Sequence, residues 1–113
     1  MVSYRIGKAE EAQFVQMTEG INRRSVVYGD KSSLCEFKLG KGAVIPMHTH
    51  IHEQIGYLVS GKVLFTIEGK EYITNPGDSW CILGGVEHKA EALEESFVIE
   101  VFAPVREEFI TKD

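Results

Sequence analysis

Glycine cuts this chain into pieces too short for long helices. Gly29-Asp30, Gly40-Lys41-Gly42, Ser60-Gly61-Lys62, Glu68-Gly69-Lys70, Pro76-Gly77-Asp78 and Gly84-Gly85 punctuate the middle of the sequence. They recur at roughly 8 to 12 residues, the spacing of short antiparallel strands joined by turns. The runs between them, residues 34–39, 54–59, 62–68, 79–83 and 97–102, are rich in β-branched and aromatic side chains, which suit a pleated, half-buried surface. Side chains alternate across a strand, so Cys35, Phe37 and Leu39 share one face, as do Val63, Phe65 and Ile67. The pattern predicts an all-β sandwich or barrel. Helix signals are confined to the ends. Residues 8–17 are expected to make two turns, and Pro104 to open a short helix running through Val105, Arg106, Glu107, Glu108 and Phe109, since proline is tolerated at a first helical position.

A length of 113 residues predicts one domain over 1–113, large enough for a core without staples. Twelve Lys and Arg against seventeen Asp and Glu give a net charge of −5. That balance, with no basic cluster, argues against nucleic acid, because neutralising phosphates needs concentrated positive charge. No apolar run approaches the length of a bilayer span, so no membrane partner is expected. Residues 1–10 carry no apolar signal region, and Cys35 and Cys81 alone make no disulfide framework. The expectation is a reduced, cytoplasmic domain in which both cysteines act as small core hydrophobes. The glycine turns lack the strand–helix context of a phosphate loop.

The chemistry is concentrated in the histidines. Three of the four, His48, His50 and His52, lie within GAVIPMHTHIHEQIGYLVSG, and His88 ends LGGVEH. Residues two apart on a strand share a face, so His48 and His50 are expected to point at one spot. Gln54 would start the next strand after a turn at 51–53. His88 is distant enough to return on another strand. Three imidazoles and an oxygen donor suit a first-row divalent ion such as Mn, Fe, Co, Ni or Zn, whereas Mg and Ca prefer mostly oxygen ligands. His52 is expected to stay off the metal, at the surface or supporting a ligand. In FVIEVFAPVR, Val98, Glu100 and Phe102 share a face. If that face is internal, Glu100 is a buried carboxylate beside a cation, usable as an acid or base; if external, it is a solvated charge.

Gly42-x5-His48-x-His50-x3-Gln54-x6-Gly61 resembles the first cupin motif, with Gln where Glu is usual. Gly77-x5-Leu83-x-Gly85-x2-His88 resembles the second, with Leu83 in place of Pro and Ala92 in place of a terminal Asn. The resemblance implies a cupin double-stranded β-helix, or jelly roll, with a metal-binding core over about 34–103 and His48, His50, Gln54 and His88 as ligands. A neutral Gln leaves the metal's full charge available to an anionic ligand. The segment INRRSVVYGDKSSLCEFKLGKGAVIPMHTHIHEQIGYLVSGK, with PGDSW and ALEESFVIEVFAPVREEF, is similar to the KdgF family of pectin and alginate breakdown. That family turns 4,5-unsaturated monouronates into linear keto forms. Its Asp-x-Phe-x3-Arg pattern reads Glu100-x-Phe102-x3-Arg106 here. The likeness implies a small sugar-acid substrate and a homodimer, with Glu100 as proton shuttle, Phe102 as pocket wall and Arg106 as anion clamp. Other readings are a metal-dependent dioxygenase or another small cupin enzyme, and a non-catalytic small-ligand or metal-binding module.

Overall fold

The structure, a computed structural model, describes residues 3–110; residues 1–2 and 111–113 of the expected single domain lie outside them. Its strands are β1 (Val15–Thr18), β2 (Ile21–Tyr28), β3 (Ser33–Leu39), β4 (Val44–His48), β5 (Glu53–Ser60), β6 (Val63–Ile67), β7 (Lys70–Thr74), β8 (Ser79–Ile82), β9 (His88–Ala92) and β10 (Ser96–Ala103). They form a six-stranded sheet in the order β1-β2-β3-β10-β5-β8 and a four-stranded sheet in the order β4-β9-β6-β7. Every pairing is antiparallel. This is the all-β jelly roll that the glycine spacing and the motifs predicted.

Alternation sets which residues face between the sheets. Cys35, Phe37 and Leu39 on β3, Leu58 on β5, Val63 and Phe65 on β6, Ala90 and Ala92 on β9, and Val98 and Phe102 on β10 form one buried cluster. Phe37, Phe102 and Phe109 meet edge to face, with centroids 6.4, 6.0 and 5.8 Å apart. Each buried aromatic or large aliphatic contributes about 1.5–3 kcal/mol through lost contact with water. This apolar layer is the floor on which the polar site stands.

Three expectations are corrected. Residues 8–17 are not a two-turn helix: Ala9–Glu11 make a single 3-10 turn, and Val15–Thr18 pair with β2. The free edge of β2 offers backbone partners that a short isolated helix lacks, and Val15 and Thr18 are β-branched. At the other end Pro104 does not open a helix; the helical turn is confined to Glu107–Phe109 and drops Phe109 into the core. Cys35 is buried as expected, but Cys81 is exposed, because it lies on the outer face of β8 at the sheet edge.

Candidate metal centre and its cavity

β4 and β9 are neighbours, and their register sets His48 opposite His88. His50 does not share a strand with His48, as parity suggested, because β4 ends at His48. The chain turns over residues 49–52, and Glu53 already belongs to β5. The loop before β9 fixes this turn: Gly85 N–H donates to the His50 carbonyl at 2.8 Å. A side chain at Gly84 would collide with the Ile51 carbonyl. The histidines therefore converge through two packed loops and one strand pair. His48, His50 and His88 bring one ligand atom each within 4.8 Å of one another, and ring centroids stand 4.2–5.4 Å apart.

Each of these rings has its Nδ1 tied to a backbone carbonyl. His48 Nδ1 lies 2.8 Å from the Pro46 oxygen, His50 Nδ1 2.9 Å from that of His52, and His88 Nδ1 2.9 Å from that of Val86. A neutral imidazole that donates through Nδ1 carries its lone pair on Nε2. All three are thus held in the tautomer that ligates through Nε2, the usual arrangement around a metal-binding histidine. Burial lowers the pKa of His50 and His88, with Arg106 adding to the effect, so both rings favour the neutral form that binds metal.

Gln54 completes the fit. Its Oε1 sits 2.9 Å from His50 Nε2. With Nδ1 facing one carbonyl and Nε2 facing another oxygen, neutral His50 has one proton for two acceptors. A second proton is disfavoured by burial, so a cation at the Nε2 end resolves the conflict. The residues present fit a divalent transition metal.

Glu100 faces inward and is only 5% exposed, which settles the orientation that the sequence left open. Its Oε1 accepts from Trp80 Nε1 at 2.6 Å and its Oε2 from Gln54 Nε2 at 2.8 Å. Desolvation pushes its pKa up to about 8, against the opposing pull of these two donors and of Arg106. A raised carboxyl pKa means that the folded state holds the proton more tightly than the unfolded chain. Metal-free protein is therefore expected to suffer no penalty below the ordinary value of 4.5 and to lose stability as pH rises from there to about 8. The slope is at most ~1.4 kcal/mol per pH unit. Denaturant titrations of metal-free protein across that range should show the decline, and Glu100→Gln should flatten it.

His48, Gln54, His88, Glu100, Phe102 and Arg106 line one cavity that is partly open to solvent. The Arg106 guanidinium stacks on Phe109 at 4.0 Å and on Phe102 at 4.8 Å, and its Nε donates to Glu108 at 3.1 Å. It therefore makes an ion pair with Glu108 and still lines the cavity. His52 is buried rather than superficial and supports His50 through its carbonyl. Tyr57 is turned to the outer face. Parity in the sequence leaves the face of Trp80 undecided, and the structure turns it inward onto Glu100; the cavity contacts of Met17 and Phe109 gave no sequence signal. The Trp80 side chain reaches over β5 to Glu100 on β10, a contact that only strand order reveals.

A two-sheet jelly roll with converging histidines on its inner surface defines a cupin. The cupin-domain family profile matches residues 35–102. The pectin degradation protein KdgF of Dickeya dadantii is 31% identical over 103 residues, covering 89% of this chain and 94% of that protein. The structure of KdgF from Halomonas sp. superposes with a TM-score of 0.89 at 31% identity, over 96% of this chain and 100% of the other. An RmlC-like cupin from Shewanella frigidimarina matches with a TM-score of 0.89 at 25% identity, over 96% and 97% of the two chains. The chain belongs to the KdgF family of cupins. No helix among the described residues is long and apolar enough to cross a membrane.

Proposed function

We propose that this protein opens 4,5-unsaturated monouronates and converts them to linear keto acids, using a divalent metal on His48, His50, Gln54 and His88. The observation that carries the reading is a single cavity in which His48 and His88 of the histidine cluster meet a buried carboxyl, Glu100, and a guanidinium, Arg106. Its relative in Dickeya dadantii is named for pectin degradation, and unsaturated uronates are the acids that reading requires.

The reaction is an isomerisation. The C1 hydroxyl loses its proton, and the bond from C1 to the ring oxygen breaks as the C1 carbonyl forms. The released oxygen becomes the C5 ketone as C4 takes up a proton. Nothing is oxidised, and the one proton removed equals the one returned. A divalent ion bound at the site supplies Lewis-acid stabilisation of the substrate carboxylate and of the oxyanion that develops on ring opening. Glu100, whose pKa is raised by burial and would be drawn back down by a cation beside it, takes the hydroxyl proton in its ionised form and gives it to C4. Arg106 clamps the substrate carboxylate with its planar fork, and Phe102 forms the wall beside it. A neutral amide at Gln54 leaves the metal's charge undiminished for these oxygens.

The test is loss of the ultraviolet absorbance of a 4,5-unsaturated galacturonate in the presence of metal-loaded protein. Decay well above the spontaneous rate, without oxygen uptake, is expected. Decay at the spontaneous rate removes the function, and oxygen uptake points to a dioxygenase instead. Arg106→Gln is expected to raise KM about tenfold or more with a smaller change in kcat, since a charge-assisted hydrogen bond contributes about 1.5–3 kcal/mol; initial-rate measurements report both. A homodimer would find its apolar contact on the outer face of β5 and β10, where Ile55, Tyr57, Val59 and Val101 stand exposed, and sedimentation velocity reads its presence.

A further inference from the structure

Three strands set three residues in a row. Glu100 on β10 lies opposite Gly56 on β5, and Gly56 lies opposite Trp80 on β8. The middle position has no side chain, so the indole of Trp80 crosses over β5 to bond Glu100 Oε1 at 2.6 Å. A Cβ at position 56 would collide with Trp80 Nε1 and Cε2 and with Glu100 Oε1. Phe65 packs against the indole, centroid to centroid 4.5 Å, and steadies it from the other sheet.

A side-chain amide has one donor end and one acceptor end, and only the oxygen end can serve a metal. A carboxylate offers acceptors alone. We propose that Glu100 is a positioning residue for the metal centre, with Trp80 as the donor that occupies one of its two oxygens: the indole claims one oxygen of Glu100, the other takes the Gln54 amide NH2, and the Gln54 carbonyl is thereby turned onto the histidine cluster. The observed chain of contacts runs in that sense, from Trp80 Nε1–H to Glu100 and from Gln54 Nε2–H to Glu100, with Gln54 Oε1 toward His50. Gly56 is the gap that lets the indole reach. This role is separate from the proton transfer assigned to Glu100 and rests on the reading of Gln54 as fourth ligand.

The test is titration with Co2+, followed by calorimetry and by the visible d–d absorption of the bound ion. Glu100→Gln leaves one oxygen for two N–H donors. It is expected to weaken Co2+ binding by about 10- to 100-fold, the usual cost of losing a group that orients a ligand, and to alter the absorption envelope. Trp80→Phe removes one of the competing donors and alone should change affinity less than about threefold. Combined with Glu100→Gln, it should restore affinity to within about threefold of the unsubstituted protein, because the introduced amide can now offer its oxygen to Gln54. A mere packing role for Trp80 gives the opposite result, a double variant weaker than either single one, and overturns the proposal. Should Trp80→Phe not fold, 3-benzothienylalanine at position 80, which replaces the N–H by sulfur in a ring of the same shape, makes the same comparison. Gln54→Ala separates the two readings. If it leaves Co2+ affinity and spectrum unchanged, Gln54 is no ligand and both readings fall. If it weakens binding while Glu100→Gln does not, positioning alone is wrong.

Discussion

His88→Ala is expected to reduce divalent-metal affinity by more than about a hundredfold, beyond the range seen when only a supporting partner of a ligand is lost, and to return uronate turnover to the spontaneous rate. His88 is the most buried of the three, 3% exposed. It faces His48 across the β4–β9 pair, and its Nδ1 is fixed by Val86. Calorimetry with Ni2+ or Co2+ and the absorbance assay check the two halves. Retained tight binding would mean that the remaining groups suffice and that His88 is structural.

Glu100→Gln is expected to lower kcat by about 10²- to 10⁴-fold when measured at saturating metal, the span commonly supplied by a positioned acid or base. The amide fills the same volume and keeps acceptor capacity, but it cannot take a proton from the C1 hydroxyl. Saturating metal removes any contribution from weaker loading. Adding Trp80→Phe sharpens the comparison. If metal affinity recovers while kcat stays low, Glu100 performs two distinguishable tasks, one on the Gln54 amide and one on the substrate. If kcat recovers with affinity, the carboxyl serves the metal site alone. Full activity of Glu100→Gln at saturating metal removes the proton shuttle.

Much of this was legible in the chain because it depends on local period and spacing. The strands at 34–39, 54–59, 62–68, 79–83 and 97–102 appear at nearly those positions, since each is bracketed by a turn and enriched in β-branched or aromatic residues. β2, β4 and β7 carry more polar or proline-containing sequence, INRRSVVY, VIPMH and KEYIT, and gave no such signal; their strand character comes from neighbours. The histidine cluster was readable from the two motifs, but not the way its members meet. His50 reaches the site from a loop pinned by Gly85, a long-range contact that no strand parity encodes. The face of Glu100 was undecidable from FVIEVF because both alternating sets are largely apolar. Only the packing of that face of β10 against the four-stranded sheet buries Val98, Glu100 and Phe102. Trp80 is the clearest case. Its partner lies two strands away, across a glycine that looks like any other in sequence.

X-ray absorption on Co2+-loaded protein bears most directly on the metal centre. The expected result is one ion per chain with scattering from three imidazoles plus oxygen neighbours, the imidazole signal falling in His48→Ala, His50→Ala and His88→Ala alike. Substoichiometric binding, or a spectrum with no imidazole contribution, would contradict it.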